Sequence, residues 1–411
     1  MLKVGFVGAG FVAKFHATAL CSVRGAEVAG VTALAGAEAL SQEIRGLGIG
    51  AGTVYPTVSE LCKHVDVVAI FAPNFARLEV TQMIAEARKA GAEVKGIICE
   101  KPLARNMREA EAMVTLARDA KLPTAYFENQ IHMPAVRNAR AQLAGVEQAM
   151  GPVHLTRSAE EHGGPHEPWF WDPTRQGGGV LCDMGCHSIA VGWYMLTPSG
   201  KEPTFLSPRR VTAETKLLKW GLAEWRSKLM ARGVDYSKTP AEDYATGSIS
   251  FQHPETHQAV LAQFTDSWMY DAPGLRLLME ALGPGYSYTI NSLESPAGLF
   301  ISDEAASAVA DREVALEKSQ ASRGALVLQP NEADLYGYVS EWRDAISAFS
   351  KQRNALLDWG YGREITRLVM AAYLSAERGA TIDLEDPGVT KELSGYVPAI
   401  QAGDGWKVLG L

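Results

Sequence analysis

The chain has 411 residues, long enough for two domains with well-buried cores, and its 47% hydrophobic and 21% charged composition is that of an ordinary globular protein. A net charge of -8 without any basic block argues against a nucleic-acid partner. No apolar run approaches the ~20 residues of a membrane span.

The start reads directly into a strand, Lys3 to Val7, with neither a charged leader nor a cleavage site, and the expected location is the cytoplasm. The five cysteines (21, 62, 99, 182 and 186) are irregularly spaced, most of them in apolar surroundings, and read as reduced core residues. Gly8-Ala-Gly10-Phe11-Val12-Ala13 follows the strand and opens a helix. A glycine turn of this kind admits a pyrophosphate to the backbone, and the helix N–H groups face it. Glu27 to Thr32 is the second strand, and the acidic residue that would hold ribose hydroxyls is absent from its end, where Thr32 and Ala33 stand. No basic residue occurs from Val28 to Ile44 to attract a 2′-phosphate, so NAD is preferred over NADP.

Val65 to Phe71 is a buried strand ending at Ala72-Pro73-Asn74, and Lys95 to Cys99 is another, running into Glu100-Lys101-Pro102. Ligands of open parallel sheets lie beyond the carboxyl ends of the strands, which places Lys101 to meet one. The candidate cofactor contacts are therefore Gly8, Gly10, Phe11, Val12, Ala13, Thr32, Ala33, Pro73, Asn74, Glu100 and Lys101. Asn106-x-x-Glu109 caps the next helix, and Pro123 to Phe127 closes a doubly wound domain over 1–130. The pattern then changes. Strands at 152–159, 211–218, 244–251, 258–267, 274–282 and 285–290 predict a large, mostly antiparallel sheet in a second domain over 131–411. Helices at 332–351 and 360–378 follow, and these last helices can return to the first domain.

In Gly177-Gly-Gly-Val-Leu-Cys-Asp183-Met-Gly-Cys-His187, three glycines let a loop approach a ligand. Asp183 and His187 share a helix face four residues apart, a carboxylate–imidazole acid/base pair. Upstream, Glu160-Glu-His162-Gly-Gly-Pro-His166-Glu-Pro-Trp169-Phe-Trp171 is dense in functional groups. It reads as a sugar subsite of aromatic faces and polar hydroxyl binders, as a divalent-metal site, or as a packing loop. Hydride transfer needs no metal, and none is assigned.

GAGFVA at 8–13, GIICEKP at 96–102 and GGGVLCDMGCHSI at 177–189, in this order, resemble the Gfo/Idh/MocA oxidoreductase family. Glu242-Asp243 and Ala371-Ala-Tyr-Leu-Ser375 add to the likeness. The resemblance implies an N-terminal Rossmann domain and an α/β domain on an open-faced, mostly antiparallel sheet, with a homodimer or homotetramer formed through that sheet. It implies Lys101 near the nicotinamide and the reacting hydroxyl, and Asp183 and His187 as its partners. The implied substrate is a carbohydrate-like small molecule, lined by Asn129, His132, Glu160, His162, His166, Trp169 and Trp171. The activity implied is NAD(P)-dependent oxidation or reduction of a sugar, glycoside or cyclitol. A redox-neutral hydrolase or lyase with a recycled NAD and a non-enzymatic sensor are the alternatives. The chain departs from the family pattern at Trp169-Phe170, at Arg77 where a histidine is common, and at Glu128-Asn129-Gln130.

Overall fold

The computed structural model describes residues 1–271, 274–293, 298–301, 324–327 and 331–410. They divide into two units, one of Met1–Val136, Tyr336–Arg367 and Ser394–Tyr396, the other of Arg137–Leu335, Leu368–Leu393 and Val397–Leu411. Among the described residues no helix is long and apolar enough to cross a membrane.

The first unit is a six-stranded parallel sheet. Its strands are β1 (Leu2–Val7), β2 (Ala26–Thr32), β3 (Thr53–Val54), β4 (Val67–Ile70), β5 (Gly96–Glu100) and β6 (Thr124–Phe127). They lie in the order β3-β2-β1-β4-β5-β6, the doubly wound arrangement whose strand order reverses beside β1. Every residue of β4, β5 and β6 is buried, as short uninterrupted apolar strands must be when helices cover both faces. The late helix Tyr338–Ser350 belongs to this unit, burying Trp342, Ile346 and Phe349. The expected helix at 332–351 is split before Tyr338 by Gly337, whose φ is +92°. A Cβ there would lie 2.1 Å from the Asn129 carbonyl oxygen, so only glycine fits.

The second unit is built on a seven-stranded mixed sheet. Its strands are β7 (Leu155–Glu161), β8 (Ser207–Lys216), β9 (Tyr244–Gln252), β10 (Ala259–Ser267), β11 (Arg276–Gly283), β12 (Tyr286–Asn291) and, after a further pair, β13 (Gly298–Ile301) and β14 (Gly324–Val327), the short β15 (Ile382–Asp383). The order is β12-β11-β7-β10-β9-β8-β15, antiparallel except for β7 beside β10. Burial alternates along β10 and β11, the period-2 pattern of a sheet with one face in the core. That core face carries the helix Cys186–Leu196, buried at every residue. Just before it the chain takes a wider π turn, Leu181–Gly185, where the sequence had read continuous helix.

Candidate active site

In the first unit the features expected to hold a nucleotide gather at the carboxyl end of the sheet. Gly8 has φ +112°, its N–H donates to the Thr32 carbonyl at 2.9 Å, and a Cβ would stand 2.7 Å from the Phe71 carbonyl carbon. Gly8 is thus demanded by the fold itself. Gly10 is different: it is exposed and extended, and a Cβ there would meet no atom within 4 Å. It heads the helix Phe11–Leu20 without any side-chain cap, the kind of helix start that can receive an anion. Phe11 is exposed, Val12 half-buried and Ala13 buried, the small residue that lets the helix close on the sheet. Thr32 is buried and Ala33 half-buried, with no carboxylate between them and Glu38. Arg45, the first basic residue downstream, is bonded to Ser41 Oγ at 2.7 Å and to the Ala51 carbonyl.

Lys101 is half-buried at the end of β5, with Pro73 half-buried and Asn74 buried after β4. The Glu100 carboxylate turns inward, where His16 Nε2 lies 2.9 Å from Oε1. The Trp342 indole N–H donates to His16 Nδ1 at 3.0 Å, so the network assigns the imidazole proton to Nε2, which donates to Glu100. The ligand-type atoms of His16, Glu100 and Glu341 lie within 4.8 Å of one another, but with both imidazole nitrogens engaged the trio reads as a hydrogen-bond network. Glu100, expected to face the cofactor, is therefore committed to the interior. Arg77 was read from sequence only as a departure from the family. Its buried guanidinium donates to the carbonyls of Ala72 at 3.0 Å, Glu100 at 2.5 Å and Pro102, gripping the backbone on both sides of Lys101. Asn129 and His132 are buried in this unit, and the Asn129 amide donates to the Tyr336 carbonyl at 2.8 Å.

In the second unit the glycine loop approaches its own chain. A Cβ on Gly178 would lie 2.0 Å from the Tyr373 hydroxyl, and one on Gly179 would lie 2.2 Å from the Glu242 carbonyl oxygen. The Gly179 N–H donates to both Glu242 carboxylate oxygens at 3.0 Å, the Leu181 N–H to Oε1 at 3.1 Å, and the Tyr373 hydroxyl to Oε1 at 2.6 Å. Burial pushes the Glu242 carboxyl up from 4.5 to about 7, and these donors offset only part of it. This anchor sets the start of the π turn that carries Asp183, with His187 one turn on, and both side chains are buried. Glu160, on β7, is buried in the same unit.

The 160–172 segment divides. Trp171 has no exposed surface; its indole N–H donates to the Pro165 carbonyl at 3.0 Å, and its ring packs on Trp220, Tyr236 and Trp268. That ring is a packing residue, which corrects its reading as a sugar platform. Trp169 is half-buried and stacked on Phe170 at 3.9 Å, and His166 is exposed. His162 is buried, its Nδ1 accepting the Gly164 N–H at 2.9 Å, and so helps to shape the loop.

A family model described as "Oxidoreductase family, NAD-binding Rossmann fold" matches residues 2–127, and the "GFO/IDH/MocA C-terminal domain" model matches 136–281. Among curated relatives, the D-glucoside 3-dehydrogenase of Escherichia coli is 29% identical over 261 residues, 61% of this chain and 67% of that protein. The glucose-6-phosphate 3-dehydrogenase of Bacillus subtilis is 27% identical over 203 residues, 47% of this chain and 54% of that protein. The chain thus spans about half to two thirds of the length of these relatives. The crystal structure of GenD2 from gentamicin A biosynthesis in complex with NAD superposes with a TM-score of 0.72 at 22% identity, over 94% of this chain and 97% of that one. A putative myo-inositol dehydrogenase from Sinorhizobium meliloti gives a TM-score of 0.66 at 18% identity, over 93% and 100%. These two show the shared fold.

Proposed function

The chain belongs to the Gfo/Idh/MocA oxidoreductase family, and from that premise we propose that it transfers a hydride between a nicotinamide dinucleotide and a ring hydroxyl carbon of a sugar or glycoside. The observation that carries this reading is the uncapped helix behind an open Gly10, in a chain that also holds Lys101, Asp183 and His187. The names of two curated relatives support the C3 hydroxyl of a glucose-type ring as the group oxidised.

Gly10 and the first turn of Phe11–Leu20 would hold the pyrophosphate, and the strand ends at Thr32–Ala33 and Pro73–Asn74 the rest of the dinucleotide. The cofactor supplies the hydride acceptor; the chain supplies position and proton handling. His187 is the base for the hydroxyl proton, since an imidazole of ordinary pKa ~6.5 exchanges protons near neutrality. Lys101 donates a hydrogen bond to the same oxygen and stabilises its developing charge. Asp183 orients the imidazole or a neighbouring hydroxyl. Trp169 and His166, accessible members of the 160–172 segment, are its sugar contacts. NAD is the preferred cofactor, because the end of β2 offers a 2′-phosphate no cation and Arg45 is engaged elsewhere. Self-association uses the sheet face of the second unit that carries the exposed Arg157, Gln263 and Thr212.

The test is nicotinamide reduction with glucose 6-phosphate, alkyl glucosides and inositols, each with NAD and NADP. Sustained reduction in excess over enzyme is expected. Release of the aglycone without it would assign the redox-neutral reading instead.

A further inference from the structure

Beyond Asp183 and His187, a third acid is built into the same part of the second unit. Asp266 lies near the end of β10, in ladder register with Glu160 of β7, and is fully buried. The Ser188 hydroxyl donates to its Oδ1 at 2.7 Å. Its Oδ2 has no hydrogen-bond partner among the described residues, and a Cβ on Gly185 would come within 3.4 Å of it. One oxygen thus grips the residue after His187, while the other faces the π turn that carries Asp183.

Glu160, Asp183 and Asp266 are all buried. Ionising three such neighbours together is strongly disfavoured, since each charge loses its hydration and repels the others. With one oxygen buried and unpartnered among the described residues, Asp266 is the one to stay neutral. β7 presents Glu160, the π turn presents Asp183, the helix Cys186–Leu196 presents the uncharged Ser188, and β9 presents Ala245 as the register partner. Burial holds the Asp266 carboxyl well above the usual carboxylate range; the Ser188 hydroxyl and the Glu160 backbone N–H oppose this, and the Glu160 and Asp183 charges push it further up.

We propose that Asp266 is a positioning residue for Asp183 and His187, fixing the His187 turn through Ser188 with one carboxyl oxygen and facing the Asp183 turn with the other. The proposal rests on the reading that Asp183 and His187 handle the substrate proton.

The experiment compares Asp266→Asn, Asp266→Ala and Ser188→Ala in the full chain. Asparagine reproduces a protonated carboxyl: its oxygen accepts from Ser188 and its amide replaces the acid O–H. Four readouts are taken, and the first two need no substrate: the protonated-carboxyl infrared band at neutral pH, the His187 imidazole titration by NMR (assigned with His187→Gln), kcat against pH, and NAD affinity. Glu242 also contributes to this band at neutral pH, so the expected sign is a fall in band intensity from the native chain to Asp266→Asn, which should otherwise keep the native His187 titration and near-native kcat. Asp266→Ala and Ser188→Ala should each shift that titration and lower kcat by ~10-fold or more, the scale of a small misplacement of a reacting group. NAD affinity should be unchanged, and the double variant should lose no more than either single one. A native titration and kcat in folded Asp266→Ala would overturn the positioning role. If Asp266→Ala does not fold, an unchanged titration in Ser188→Ala does the same. No fall in band intensity in Asp266→Asn, or Asp266→Asn as impaired as the Ala variant, would overturn the neutral state of Asp266. Full turnover in His187→Ala would instead sink the underlying acid–base reading, whatever Asp266 does.

Discussion

Gly8 and Gly10 stand two residues apart in one turn and answer different demands. Gly8 is fixed by a left-handed φ and by the Phe71 backbone, so Gly8→Ala should cost ~2 kcal/mol or more of stability, measured by denaturant unfolding. Gly10 has open space where its side chain would be, so Gly10→Val should unfold at the native midpoint and lose dinucleotide binding in calorimetry. Intact NAD affinity in that variant would remove the helix start as the pyrophosphate site. At His187 the expected change is in rate: His187→Ala should lower kcat by ~10² or more while NAD affinity stays put. Part of the loss should return at high pH, where the hydroxyl needs less help to ionise.

The glycine loop and Glu242 act as one element, since the carboxylate holds the N–H groups of Gly179 and Leu181 that lead into the π turn. Its pKa is raised on folding from 4.5 to about 7, so the folded state binds the extra proton between those values. The resulting stability is fully present below pH 4.5 and is lost as pH rises through about 7. Glu242→Gln should flatten the stability–pH curve across that window by up to about 1.4 kcal/mol per pH unit, one proton's worth. Chemical denaturation at several pH values measures it, and an unchanged slope would mean that Glu242 is ionised in the fold. What was legible in this part of the sequence was local. The apolar runs, the glycine turn after β1 and the period-2 strands can be read from neighbours alone. The loop's purpose could not be, because its partners Glu242 and Tyr373 lie 63 and 194 residues from Gly179. The same distance hid the committed carboxylate of Glu100, the grip of Arg77 on the Lys101 backbone, and Asp266, which comes beside Glu160 only through a parallel ladder that crosses the chain. Trp171 misled for a related reason: an indole in a polar loop looks like a ligand platform until Trp220 and Trp268 cover it.

At the scale of the whole chain, the first unit is assembled from distant pieces of sequence. Trp342 completes the His16 network, the Phe349 ring stands where a Cβ on Gly96 would come within 2.5 Å, and the Trp359 indole N–H donates to the Ala125 carbonyl at 3.1 Å. A fragment ending at Val136 therefore lacks the cover for β5, β6 and the buried imidazole. It should show no cooperative thermal unfolding, and adding residues 336–367 as a separate peptide should restore part of it. A sharp, native-like transition in the fragment alone would show that the sheet does not need the late helices.

That dependence also sets an order of events at the ribosome. The nucleotide-binding half is begun early and completed late, with Trp342 arriving 206 residues after Val136. At ~5–20 residues per second this is a wait of ~10–40 s, during which β5 and the imidazole of His16 stand uncovered. For that interval the nascent chain is a client for chaperones, and a nonsense codon or stall before residue 342 leaves a product marked for proteolysis.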